Sequence, residues 1–149
     1  MQLHSKWFDE LTVREVYESL SARSSVFVVE QKISCHDMDG VDLSALHLFF
    51  NEGEYVTAYL RAFYTDESKK TVSIGRVLTR EHGKGEGRAL MQAALPEILK
   101  KLPCEVLTLH AQCHAVGFYE KFGFETCSEP FIEEEILHVT MQKRVAWGK

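Results

Sequence analysis

The stretch Ser73-Ile-Gly-Arg-Val-Leu-Thr-Arg-Glu-His-Gly-Lys-Gly-Glu-Gly-Arg-Ala-Leu-Met91 carries the information that decides the fold. It opens as a β-rich run, passes through three glycines at 83, 85 and 87, and continues with helical spacing at Leu90, Ala94, Ile98 and Leu102. A strand that ends in glycines and opens a helix lets consecutive N–H groups converge on an anion at the helix N-terminus. Arg80, Lys84 and Arg88 add positive charge there, so phosphate or pyrophosphate is the natural ligand. The spacing excludes both common nucleotide motifs. The nucleotide P-loop needs GxxxxGK[ST] and the dinucleotide fingerprint GxGxxG, whereas this loop reads GxGxG. Without a ligand, the same glycines would make a flexible strand-to-helix connection.

Outward from this stretch, Thr12 and Glu15 form a capping box ahead of Val13, Val16, Tyr17 and Leu20, which predicts a helix from about Thr12 to Arg23. Leu3 to Phe8 reads as a short strand, and Val26 to Gln31 reads equally as helix or strand. Leu46–Asn51, Tyr55–Tyr64 and Thr71–Thr79 form a meander, antiparallel because its connections are too short for crossovers. Pro96 predicts a kink or break in the helix that follows the glycines. Glu105–Ala111, Phe124–Cys127 and Leu137–Arg144 read as strands, with a short helix over Ala115–Phe122. The sum is one domain over residues 1–149, with a mixed α/β or α+β sheet and helices packed on it.

Composition narrows the function classes. With 149 residues, 45% hydrophobic, the chain can bury roughly 70% of its unfolded surface without disulfides or metal. No apolar run approaches the roughly 20 residues of a membrane span, and Met1–Asp9 lacks a signal-peptide core. Seventeen basic against 22 acidic residues is the wrong balance for nucleic-acid binding. Cys35, Cys104, Cys113 and Cys127 contain no CxxC pair and read as reduced thiols, in keeping with a cytoplasmic address. His110, Cys113 and His114 lack a fourth metal ligand, so no metal is expected.

Ser73–Thr79 with Gly83–Met91 resembles motif A of the GCN5-related N-acetyltransferases (GNAT), and Leu107–Gln112 with Gly117–Phe124 resembles their motif B. Val26–Gln31, Asp37, Asp39, Asp42, His47 and Ile136–Met141 together resemble the ElaA-like branch. The resemblance implies a mixed, mostly antiparallel sheet splayed between strands 4 and 5, with acyl-coenzyme A (acetyl the expected group) in the opening. Pantetheine would pair with backbone at Val77, Leu78 and Thr79, and the pyrophosphate would lie on residues 82 to 88: His82, Gly83, Lys84, Gly85, Gly87 and Arg88. Gln112 would hydrogen-bond the pantetheine, and Tyr119 would act as general acid toward the leaving thiolate. Glu30 and His47 are the first candidates for general base and His138 the third.

Three positions depart from the family pattern. His82 stands for Arg or Gln, Glu86 for an apolar residue, and Glu134-Glu135 for Asp-Gly. The implied reaction is direct transfer to a primary amine, on a small molecule or a protein, in a ternary complex; a non-catalytic acyl-coenzyme A sensor is the alternative. The superfamily often dimerises, which makes a homodimer the resemblance-based expectation. Asp37, Asp39 and Asp42 read as a solvated acidic loop or as an acidic mouth for a cationic amine, to which Glu133–Glu135 would add.

Overall fold

The computed structural model describes residues 2–32 and 37–145. Eight strands form one sheet: β1 (His4–Trp7), β2 (Leu46–Glu52), β3 (Tyr55–Tyr64), β4 (Thr71–Thr79), β5 (Val106–Gln112), β6 (Glu125–Thr126), β7 (Phe131–Glu133) and β8 (Ile136–Arg144). Their order is β1-β2-β3-β4-β5-β8-β6, with β7 also paired to β8. Every pairing is antiparallel except β4 with β5. That one parallel pair is joined by α2 (Glu86–Lys101), a crossover of the length parallel strands require.

One sheet face packs on α2. Leu48, Leu60, Ile74, Leu107 and Leu109 meet Leu90, Met91, Ala94 and Ile98 there, all essentially buried. The other face, with Phe49, Tyr59 and Leu78, is covered by α1 (Val13–Arg23) through Ala22 and by Val26 just beyond it. The capping box that starts α1 is present: Glu15 N–H donates to Thr12 Oγ1 at 3.0 Å and Thr12 N–H to Glu15 Oε1 at 2.8 Å. Each satisfies a donor that a helix start leaves free.

The ambiguous run after α1 is helical, but wider than an α-helix. Ser24–Glu30 continues α1 as a π-helical segment, with Gln31 N–H donating to Val26 O at 3.0 Å. π-Segments concentrate at functional sites. α2 runs unbroken through Pro96, contrary to the expected break. Pro96 and Gln92 are both exposed, so the Gln92 carbonyl that loses its helical partner faces water, while the buried stripe holds the helix in place. β6 is shorter than the expected Phe124–Cys127, and β7 has no counterpart in the sequence reading.

The architecture also parts two strands. β4 pairs with β5 only over Thr71–Ser73 and Val106–Thr108. Beyond that point β4 stays with β3 and β5 with β8, so a wedge opens between them. A bulge sits at the parting: Arg76 and Val77 together oppose Leu60, and Arg76 takes a left-handed φ of 52°.

The β7–β8 hairpin turns on two residues, Glu134 (φ 50°) and Glu135 (φ 64°), between paired Glu133 and Ile136. This is a type I′ turn, whose left-handed positions favour Asn-Gly or Asp-Gly. For residues with a Cβ, each such position costs roughly 1–2 kcal/mol. Replacing Glu134-Glu135 with Asn-Gly is expected to raise stability by about 1 kcal/mol or more. Differential scanning calorimetry should then read a melting temperature higher by roughly 2–4 °C.

Candidate active site

The wedge is the mouth of a cavity of about 490 Å³. Ile74–Val77 of β4 form one side, and Leu109, His110 and Gln112 of β5 the other. Tyr119 of α3 (Val116–Glu120) and His138 of β8 close it on the β5 side. At the helix end, Gly83 (φ 79°) and Gly85 (φ 75°) both take left-handed conformations, and Gly85 is the N-cap of α2. Nothing lies within 4 Å of where a Cβ would sit on either glycine. The loop is therefore open, not packed shut, and it leads into the first-turn amides of α2.

The loop's charges are arranged less simply than its sequence suggests. Lys84 is paired with Glu81. Arg80 turns away from the loop, with Nε donating to Val56 O at 2.6 Å and Nη2 lying 3.7 Å from buried Glu18. Arg88 is exposed and has no ion-pair partner among the described residues, which leaves it available to an anion. His82 Nε2 contacts Glu30 Oε1, so the end of the π-segment is tied to the start of the glycine loop. Glu86 lies in the first turn of α2, where a carboxylate competes with an incoming anion for the helix N-terminus.

Tyr119 is buried, edge-on to Phe118 and Phe124, and its hydroxyl makes no hydrogen bond to the described protein residues. Burial pushes its phenol up to about 12, so it stays protonated across the neutral range. The hydroxyl is thus protonated, unengaged by the described residues and on the cavity wall. Gln112 is engaged at both ends: Nε2 donates to Gln31 Oε1 at 3.0 Å, and Oε1 accepts from His114 Nε2 at 2.7 Å.

The two leading base candidates lie elsewhere. His47 does not line the wedge; it lies under a second, apolar recess beside Tyr59 and Arg23. Its Nε2–H donates to Asp42 O at 2.9 Å, which leaves Nδ1 to accept from Tyr59 O–H at 2.6 Å. Burial lowers its pKa, and both ring nitrogens are engaged within the protein. In this structure His47, the expected base, is a hydrogen-bond bridge outside the wedge. Glu30 is half exposed, contacts His82 and is not among the residues that line the cavity.

The aspartates are also not a free acidic mouth. Arg23, only 1% exposed, donates to Asp42 Oδ1 at 2.8 Å and to Asp37 O at 2.8 Å. Arg61 holds Asp39 through two bonds of 2.9 and 2.7 Å and reaches Asp42 at 3.0 Å. Arg76, at the bulge, donates to Asp37 Oδ1 at 2.9 Å and Asp37 O at 3.1 Å. Three guanidinium groups thereby bolt residues 37–42 onto α1, β3 and β4, and the loop becomes a wall of the wedge. Arg61 and Arg76 escaped the sequence reading. An arginine inside the apolar run Tyr55–Tyr64 signals a buried charge that needs a carboxylate. Cys35 lies outside the described residues, while Cys104, Cys113 and Cys127 are free thiols.

Comparison with known proteins agrees with this geometry. The acetyltransferase (GNAT) domain model matches residues 40–145. The chain belongs to the GNAT family of acetyltransferases. Within it, the relatives are ElaA-like: Escherichia coli ElaA is 36% identical over 91% of this chain and 92% of its own. A UPF0039 protein of Synechocystis is 33% identical over 97% of both chains. Among solved structures, an acyl-CoA N-acyltransferase from Pseudomonas aeruginosa superposes with a TM-score of 0.89 at 32% identity, covering 96% of this chain and 99% of that one. E. coli ElaA superposes with a TM-score of 0.88, covering 95% of this chain and 98% of that one. No helix among the described residues is long and apolar enough to cross a membrane.

The bolted loop has a measurable signature. Hydrogen bonds from Arg61 hold Asp39 down at about 2. Burial would raise Asp42, but hydrogen bonds and charge from Arg23, then Arg61, bring it below its usual value. Folded-state values under the unfolded value of roughly 4 stabilise fully above that pH, and the contribution is lost as pH falls toward 2. Arg61→Met should cost roughly 1–3 kcal/mol at pH 7, since it takes charge-assisted hydrogen bonds from Asp39 and from partly buried Asp42. Urea midpoints measured from pH 7 to 2 should fall less steeply below pH 4 in the variant than in the wild type.

Proposed function

We propose that this chain transfers an acyl group, acetyl by expectation, from acyl-coenzyme A to a primary amine, directly and within a ternary complex. The observation that carries the reading is the parted β4–β5 pair with an open glycine loop at its end. Bare backbone on the inner edges of β4 and β5 suits an extended amide-bearing chain, which would pair with Val77, Leu78 and Thr79 as a strand would. Amides of residues 82 to 88, with Arg88, suit the pyrophosphate, and Gln112 borders the same opening. Glu86 and the pairing of Lys84 with Glu81 weaken the electrostatic part of that attraction, so backbone donors carry most of it.

Acyl transfer needs a neutral amine, a polarised carbonyl and a protonated leaving sulfur. Backbone N–H groups at the bulged part of β4 would face the thioester oxygen and stabilise the charge that develops there. Tyr119 would donate its hydroxyl proton to the departing thiolate. The Tyr119 hydroxyl, on a largely buried ring that lines the cavity and with no competing protein partner, supports that role. The acceptor is a small-molecule or protein amine, and a cytoplasmic, homodimeric enzyme is consistent with the family.

The test is thermal stabilisation followed by turnover. At 100 times its Kd, coenzyme A should add about 2.7 kcal/mol of stability, and inorganic phosphate at the same concentration much less. Tyr119→Phe should keep that stabilisation and lose roughly 10²-fold or more in thiol release. Stabilisation in the wild type with no thiol release against any amine would make the chain a binder of acyl-coenzyme A. Equal stabilisation by phosphate would remove coenzyme A from the reading.

A further inference from the structure

The β7–β8 hairpin and the neighbouring β5 place two histidines and a carboxylate on the wall of the cavity that Tyr119 also lines. His138 is 7% exposed, and its ring lies nearly parallel to Phe131, 6.1 Å away at 22°. Its Nδ1 lies 2.7 Å from Ile136 O. A carbonyl only accepts, so Nδ1 carries the hydrogen and Nε2 of the neutral ring carries the lone pair. Nε2 faces Glu133 Oε2 at 3.8 Å, too long for a hydrogen bond in the neutral ring but within ion-pair range once the ring is charged. The other carboxylate oxygen, Oε1, is held at 3.0 Å by His110 Nδ1–H, which fixes Glu133 in place. One side of the imidazole is thus locked as a donor, while the other waits for a proton beside a carboxylate that would stabilise the resulting cation.

We infer that His138, backed by Glu133, is the general base that takes a proton from the acceptor amine. The inference rests on the acyltransfer reading and deepens it. The acceptor enters as an ammonium. His138 Nε2 takes one proton, and the freed nitrogen pair attacks the thioester carbon. The C–N bond forms and the C–S bond breaks. Tyr119 gives its proton to the leaving sulfur, the second proton lost by nitrogen passes through water to the Tyr119 phenolate, and the imidazolium returns its proton to solvent. The same hairpin favours a cationic acceptor. Glu133 and Glu134 both line the cavity with no lysine or arginine partner among the described residues, whereas the carboxylates on the opposite wall are neutralised by Arg61 and Arg76.

The charged and titratable groups nearest His138 are Glu133 on β7, His110 on β5 through Glu133, Glu134 in the turn and Tyr119 on the same side of the cavity, with Asp37, Asp39, Arg61 and Arg76 on the opposite wall. His138→Asn keeps a donor for Ile136 O and removes the Nε2 lone pair. Glu133→Gln keeps a partner for His110 and removes the charge. Both are assayed as full chains with acetyl-coenzyme A and a panel of primary amines (lysine peptides and alkyl diamines), with coenzyme A stabilisation measured in parallel.

His138→Asn should lose roughly 10²-fold or more in kcat and the acidic limb of the pH profile, with coenzyme A stabilisation and KM for acetyl-coenzyme A unchanged. Glu133→Gln should shift that limb to lower pH, because the imidazolium loses its counter-charge. A His138→Asn variant within threefold of wild-type kcat, or one that keeps the acidic limb, overturns the inference while leaving acyl transfer standing. A wild type that releases no thiol overturns both. If His138→Asn is unfolded, the inference stands or falls on the Glu133→Gln limb alone, and an unmoved limb overturns it.

Discussion

Parallel pairing between β4 and β5 stops after three residue pairs, and every functional feature of the molecule depends on that stop. A sheet pays for each unpaired backbone edge it buries, so two strands part inside a domain only where something else holds each of them. Here β4 is held by β3 on its far side, and Arg76 pins its bulge to Asp37. β5 is held over its whole length by β8. The wedge is therefore an enforced gap. Its inner edges offer unused backbone groups at the point where α2 and the glycine loop offer unused amides.

The enforcement comes largely from charge. Arg23 and Arg61 are almost fully buried, and each would be costly without a partner. Asp37, Asp39 and Asp42 meet that need, and in doing so fix a loop that has little regular structure of its own. The same residues that look like an acidic attraction for substrate are consumed in building the wall. Unneutralised negative charge lies instead on the opposite lip, at Glu133 on the strand and at Glu134, the first residue of the left-handed turn.

Much of this was legible from the residues. Thr12 and Glu15 announce α1, alternation announces the meander, and the glycines at 83, 85 and 87 mark the strand-to-helix loop, because those signals are local. Pro96 misled because its cost depends on which helix face it occupies, and the exposed face tolerates it. Val26–Gln31 stayed ambiguous because a π-helical turn has no short-range signature apart from an apolar run. His47 and His138 are both lone histidines on strands, and sequence gives no means of ranking them. What separates them is tertiary: His47 meets a partner at each nitrogen, while His138 meets one at Nδ1 only and has a carboxylate beyond the other.

The partition of the sheet has a mechanical consequence. α2 and the glycine loop ride on the β2–β3–β4 half, whereas Tyr119, His138 and Glu133 ride on the β5–β8 half. The two halves are stitched together along a short spine at one end. Any widening or narrowing of the gutter between them would therefore move β4 and the glycine loop relative to Tyr119, His138 and Glu133, which share one half. Donor approach and proton traffic are separate degrees of freedom in this design, one set by how far the covers of the book are opened and the other printed on a single page.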